Sequence, residues 1–293
     1  MKPEGFWQRV SRDAGRGWNA TRHAYFTAPK ITRWRFPYWA LDPHPIPVHI
    51  VAGRDDWLCA AWALVSFFLN TKQNWKVCVH DDGTLLPDSE IMLQRMFPNC
   101  RVVWRDASDA RMRTALQHFP ACAKWRGLGP EHVRIFDMAE ESAGAPRLIV
   151  LDLHTLFFKK PDEVLDWADG DAMECWFLDD PKMEIQPGSV ANLDPWARVN
   201  PGLGMVVRKA LDFALCEETL VGLHVERKAA KSVDAGLWAA CAAAYGTGGL
   251  LPQRYEVSQH RHMETSTVAR FYTGQTTGRF FDEGLPRLLP RIV

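Results

Sequence analysis

The chain lacks closely spaced cysteine pairs and any excess of one charge. Its seven cysteines, Cys59, Cys78, Cys100, Cys122, Cys175, Cys216 and Cys241, stand singly. An odd number without C-x-x-C spacing argues against a disulfide framework and a structural zinc site. Several lie in apolar runs, where a thiol behaves as a small hydrophobe, so a reducing cytoplasm is the expected setting. Lysine plus arginine equals aspartate plus glutamate at 35 each, which gives no case for nucleic acid as partner. The longest apolar run, Trp57 to Leu69, is shorter than the roughly 20 residues of a membrane span, so no transmembrane segment is expected. The N-terminal stretch carries scattered arginine and no apolar core, so no signal peptide is expected. Asn19-Ala20-Thr21 fits a glycosylation sequon that only a secreted chain would use. Also missing are a G-x-x-x-x-G-K-[ST] loop, a G-x-G-x-x-G turn after the first strand and a G-x-S-x-G elbow, so P-loop, dinucleotide and serine-hydrolase readings are poor.

What is present is a core. The 293 residues are 47% apolar, enough for one large α/β domain or two smaller ones. No repeat or linker divides them. Val48–Ala52, Trp75–His80 and Arg101–Trp104 read as buried strands, and the stretches after them carry helical apolar spacing. Residues 120–130 read as a loop, and 131–142 as a helix that leads to the strand Leu148–Asp152. Met173–Leu178 and the Gly-punctuated Val199–Val207 read as further strands, with helices at about 210–221 and 234–245. Strands alternating with helices imply a mostly parallel central sheet covered on both faces. The ordered domain is expected over 46–293.

Residues 1–45 form a basic, aromatic arm. Lys2, Arg9, Arg12, Arg16, Arg22, Lys30, Arg33 and Arg35 outnumber Glu4, Asp13 and Asp42. The arm is expected to wrap the domain and bury its rings. Contact with an anionic lipid surface is compatible with its charge, although no helical stripe is legible in it.

Three carboxylate groups fall at strand ends: Asp81 with Asp82, Asp152 with His154, and Asp179 with Asp180. Acidic residues after strands are common turn formers, but three on one sheet edge suit a ribose or a cation-bound ligand. Open α/β sheets place ligands at that edge. Asp152 and His154 are two apart, so in extended chain they point to one side. Aspartate oxygen and imidazole nitrogen both suit Mn²⁺, while Mg²⁺ prefers oxygen.

Leu151-Asp-Leu-His-Thr-Leu-Phe-Phe-Lys-Lys-Pro161 followed by Asn200-Pro-Gly-Leu-Gly-Met-Val-Val207, with Asp81-Asp-Gly83 upstream, resembles the GT-A glycosyltransferases. More loosely, it is similar to the glycogenin-like transferases that use nucleotide-diphospho sugars. The resemblance runs from about Val48 to Leu285 and is most specific in the middle. It implies a single GT-A domain with a Rossmann-like nucleotide-binding half. It also implies transfer of a sugar from a nucleoside-diphosphate donor, expected to be a UDP-sugar, to an acceptor hydroxyl on a glycan, lipid or protein.

Carried over residue by residue, Ala52, Gly53 and Arg54 would border the base, and Asp81 or Asp82 would lie near the base or ribose. Asp152 and His154 would hold a divalent cation, Mn²⁺ or Mg²⁺. Asn200 and Gly202 would line the donor-sugar pocket, with Tyr272 and Gly274 closing over the diphosphate. Asp179, Asp180 and Asp234 are the candidate catalytic carboxylates. The departures from the family pattern fall at the cation site: His154 replaces an aspartate, Phe271 replaces a metal-ligating histidine, and Ala235 replaces a glutamine. His260 and His262 lie nearby as substitutes. Arg270 and Arg279 are candidates for direct charge compensation on the diphosphate. Metal- or arginine-assisted transfer is therefore the leading expectation, and a catalytically inactive nucleotide-sugar-binding protein on the same fold is the alternative.

Overall fold

The structure, a computed structural model, describes residues 14–37, 42–185, 193, 195–223, 230–259 and 262–292. The first part of the arm and His260 lie outside them. β1 (His44–Ala52), β2 (Trp75–Asp81), β3 (Cys100–Val103) and β4 (Arg147–Leu151) are joined by helical crossovers. β6 (Cys175–Asp179), β7 (Val199–Val207) and β8 (Gly248–Leu250) complete a seven-stranded sheet of order β3-β2-β1-β4-β7-β6-β8. Only β7 runs against its neighbours in that sheet. β5 (Thr155–Phe157), β10 (Ala269–Phe271) and β9 (Tyr255–Val257) form a separate three-stranded sheet. The fold is therefore α/β with a mostly parallel central sheet, as the strand–helix alternation implies.

β1 and β4 are buried on both faces, which is why they read as continuous apolar runs rather than alternating ones. Strand alternation still sorts their side chains between two cores. Ile149 and Leu151 join a layer built on the helix Trp57–Thr71, while Leu148 and Val150 face the helices Arg134–Glu141 and Ala230–Tyr245. The helix Trp57–Thr71 is buried over most of its circumference and stops at Lys72, whose φ of 54° is left-handed. Its Asn70 amide donates to the Phe157 carbonyl at 2.9 Å, and its Ser66 Oγ accepts from the Phe157 amide at 3.0 Å. Those two bonds fix the second sheet against the helix Trp57–Thr71.

Two stretches differ from the sequence-based expectation. Pro120–Arg126 is a helix, not a loop. The Glu217 carboxylate accepts from the Ala121 and Cys122 amides, both at 2.9 Å. The cap therefore comes from a distant helix, and the local sequence contains no cap of its own. In the arm, Trp18–Phe26 is a helix and Ala28–Arg33 a 3₁₀ turn. Ile31, Trp34 and Phe36 bury against the core, and the Trp62 indole donates to the Ala28 carbonyl at 2.9 Å. The wrapping part of the expectation holds for those rings; Trp18 and Phe26 stay outside.

Candidate functional site

The strand order reverses between β1 and β4, because β1 continues to β2 and β3 on one side while β4 leads to β7 on the other. Such a switch point opens a crevice at the C-terminal strand ends. Gly53 and Asp152 follow the two strands that flank it.

On the β1 side the chain is tightly tied. The Gly53 amide donates to the Asp56 carboxylate at 2.7 Å and the Arg54 amide to Thr84 Oγ1 at 2.9 Å. The Asp82 amide returns to the Ala52 carbonyl at 3.1 Å. A Cβ added at Gly53 would run into the Asp82 carboxylate, so these two strand ends stand face to face. Asp82 accepts from the Thr84 amide at 2.8 Å and from its hydroxyl at 2.6 Å. Asp81 serves the turn: it accepts from the amides of Gly83 at 2.8 Å, Leu85 at 2.9 Å and Arg105 at 3.2 Å. Burial raises the Asp56 carboxyl above its usual value against the pull of the Gly53 amide, and the negative charges of Asp82 and Asp152 add to the rise. Three carboxylates thus share one field.

Asp152 lies across the crevice and is almost wholly buried. One of its oxygens takes the Arg134 guanidinium. The other accepts the His154 amide at 2.9 Å, with the His154 ring nitrogen 3.5 Å away. Burial works against ionisation here, but the charge of Arg134 and the contacts of His154 outweigh it and hold Asp152 well below the usual carboxylate range. The Asp152 amide donates to the Gly202 carbonyl at 2.9 Å, and the Gly202 amide donates to the Asn200 side-chain oxygen at 2.9 Å. The Asn200 amide group in turn donates to Asp180 at 2.9 Å, whose other oxygen accepts from Gln259 at 2.7 Å and from the Lys182 amide at 3.1 Å. One continuous line of hydrogen bonds therefore runs Arg134–Asp152–Gly202–Asn200–Asp180–Gln259, from the end of β4 across β7 and the loop after β6 to the segment after β9.

The other predicted residues fall around this line. The His154 carbonyl accepts the Tyr272 amide at 3.1 Å, and the His154 ring stands edge-on to Phe280 at 5.5 Å. Phe271 packs its ring over Gly202, where a Cβ would come within 2.7 Å. Gly274 has a φ of 56° and is exposed. Arg279 is half-buried in the short helix Thr277–Arg279. Arg270 lies in the interior, pairing with Glu256 at 2.9 Å and Ser258 at 3.1 Å, its guanidinium 5.6 Å from the Tyr272 ring centre. Its charge answers Glu256, so it is placed to brace β9 and β10. Asp179 pairs with Arg198 at 2.9 Å, yet burial raises its carboxyl above the usual value. Asp234 is buried in the helix Ala230–Tyr245, outside the line just traced.

The sequence reading missed Arg134, Asp56 and Gln259. Arg134 opens the helix Arg134–Glu141 as one polar residue among several, and nothing local marks it. Only the tertiary fold lays that helix start beside Asp152.

The Asp152–His154 pair was expected to hold a divalent cation. Among the described residues no three histidine, cysteine, aspartate or glutamate side chains cluster as a metal site. Both Asp152 oxygens are already engaged, one of them by a cation, and the ring of Phe271 brings hydrocarbon where a third ligand was expected. A divalent ion at Asp152 would have to displace Arg134 from its carboxylate and draw further ligands from the phosphates of a bound donor.

No family model and no curated protein matches the sequence. Solved structures do match. A galactosyltransferase, LgtC, in complex with donor and acceptor sugar analogs superposes with a TM-score of 0.56 at 14% identity, over 85% of this chain and 96% of that one. Mouse xyloside xylosyltransferase 1, in its apo form, gives 0.52 at 10% identity, over 80% and 99%. The bifunctional glycosyltransferase WbbM gives 0.50 at 12% identity, with 80% of this chain and 47% of the larger one. The chain has the α/β fold of the GT-A glycosyltransferases.

Proposed function

We propose that the protein is a glycosyltransferase that takes a sugar from a nucleoside diphosphate, with UDP-sugars as the first candidates, and passes it to an acceptor hydroxyl. The observation that carries this reading is the hydrogen-bonded line from Arg134 to Gln259 at the β1/β4 switch point. It is a preorganised polar edge built at the place where this sheet architecture receives ligands.

In the reaction, a bond forms between the acceptor oxygen and the anomeric carbon while the bond from that carbon to the diphosphate breaks. The acceptor proton passes to a base, and the departing diphosphate gains negative charge. A fixed cation near that charge stabilises the transition state selectively. Arg134 is the candidate, since its planar guanidinium is always charged and its fork matches phosphate oxygens. Asp152 would then orient Arg134. Asn200 and Gly202 would border the sugar. Asp179, whose carboxyl is raised, fits a proton acceptor better than Asp180, whose oxygens are taken by Asn200, Gln259 and Lys182. With its seven cysteines spaced singly along the sequence, a reducing cytoplasm is part of the same proposal.

The alternative is a protein that binds the donor without turnover. The saturation of Asp180 favours it. A panel of nucleotide sugars assayed for slow hydrolysis, alongside calorimetry with UDP and GDP, separates the two. Hydrolysis of at least one donor is expected. Tight binding without hydrolysis would establish the binding-only reading, and absence of any nucleoside-diphosphate binding would remove both.

A further inference from the structure

The helix Trp18–Phe26 turns two large rings to solvent. Trp18 is 72% and Phe26 69% exposed, and Arg22, exposed between them, completes a stripe at four-residue spacing. Residues four apart lie on one helix face. The opposite face is anchored: Ala20 and Thr21 are buried, and Ala24 packs on the core. Among the described residues the other large exposed apolar side chains, Leu86, Ile91, Met173 and Val221, are scattered over other elements. Directly after the stripe, Pro29, Lys30 and Arg33 are exposed on the 3₁₀ turn Ala28–Arg33.

Charge identifies what would cover such a face. From Ala14 to Leu41 the sequence has Arg16, Arg22, Lys30, Arg33 and Arg35 and no aspartate or glutamate. A second copy would bring like charge to like charge. A Trp–Arg–Phe stripe flanked by cations matches an anionic headgroup layer, with rings at the acyl boundary and guanidinium groups at phosphate level. Each Lys or Arg near such a surface adds to the attraction, which is screened within a Debye length.

We propose that the stripe Trp18–Arg22–Phe26, with Lys30 and Arg33, is a docking surface for an anionic lipid bilayer. It holds the protein peripherally, since among the described residues no helix is long and apolar enough to cross a membrane. The helix packs against the segment Phe280–Gly284, and Phe280 touches both His154 and Tyr272. Docking would therefore bring the β1/β4 crevice near the headgroups. The docking surface itself stands independently of any sugar chemistry.

The test is co-sedimentation of the full chain with phosphatidylcholine vesicles, with and without phosphatidylglycerol. Trp18→Ser/Phe26→Ser and Arg22→Gln/Lys30→Gln/Arg33→Gln serve as variants. Because these side chains face solvent, melting temperatures should stay at the wild-type value, which shows that folding is intact. The expected result is binding to the anionic vesicles only, weakened about tenfold or more by either variant and by high salt. Equal binding by wild type and variants, or none to anionic vesicles, overturns the proposal. Self-association removed by the ring substitutions, without vesicle binding, assigns the face to a second copy and overturns it too. So does binding to an unrelated RNA that outcompetes the vesicles.

Discussion

Two strand ends with the same local appearance behave differently. β2 finishes on an aspartate and β4 is followed by one, and both lead into a tight turn. Asp81 spends its oxygens on three backbone amides of its own turn and of the next crossover. Asp152 accepts one local amide and then meets a guanidinium from a helix eighteen residues upstream in sequence. The first carboxylate closes a loop. The second holds a cation in a buried position, and its own backbone hands the contact on to β7. A carboxylate at a strand end is therefore informative only through the partner that tertiary structure brings to it.

The strongest way to break that distinction is at Arg134. Arg134→Met should lower donor hydrolysis by on the order of a hundredfold, the usual scale for removing a preorganised charge from a transition state. It should also lower stability by about 1–3 kcal/mol. Stranding one half of a fully buried pair costs more, but the Arg134 side chain is 19% exposed and water screens part of the effect. Arg134→Lys keeps the charge and loses the fork, so it should recover stability more fully than turnover. Steady-state kinetics beside urea unfolding give both numbers. A variant that loses stability and keeps full turnover would reduce Arg134 to a brace.

How much of this was legible follows from the range of the interactions. The strands β1, β2, β4 and β7 were readable because burial on both faces writes itself as apolar runs. Asp152 and His154 could be singled out because they follow one of those runs, Asn200 and Gly202 through the resemblance of their segment to the GT-A glycosyltransferases. Arg134 could not, since its role depends on where a helix start lands against a strand that follows it. The helix Pro120–Arg126 was hidden for the same reason: Glu217, far along the chain, supplies its cap. The Trp18–Phe26 helix was hidden by composition, because its mixed sequence, preceded by Gly17, carries a stripe of only three residues.

Acid separates the two strand ends by a second route. Between β1 and β2, His49 Nδ1 and His80 Nε2 are 2.9 Å apart, and Ser142 Oγ lies 2.8 Å from His49 Nε2. Both rings are buried. Burial pushes the His80 imidazole down to about 4, and burial with the neighbouring ring pushes His49 well below its ordinary value. The unfolded chain therefore binds protons more readily than the folded one below pH about 6.5. The stability tied to His80 is complete above that value and is lost as pH falls toward 4, on the order of 3 kcal/mol in all. Asp152 is depressed instead, so its contribution is complete above the ordinary carboxylate value and is lost only in stronger acid. Unfolding free energies should hold level from about pH 7.5 to about pH 6.5 and fall steadily below it to about pH 4.5, and His80→Gln should flatten the curve. A flat wild-type curve would mean that the pair is solvated, contrary to its burial.

The smallest effect is expected at Asp81. In Asp81→Asn the amide oxygen can keep Gly83 and Leu85, but its NH₂ group then faces the Arg105 amide, donor against donor. Losing one buried acceptor costs about 1–2 kcal/mol, visible as a lower melting temperature. Affinity for UDP should stay within about twofold of wild type, because the carboxylate is consumed by its own turn. Asp152→Asn should do the reverse at the functional level, since it breaks the pairing that positions Arg134 and so weakens turnover more than folding alone would require. If Asp81→Asn instead weakens nucleotide binding tenfold at an unchanged melting temperature, its carboxylate reaches the ligand. The β2 end would then belong to the recognition surface as fully as the β4 end does.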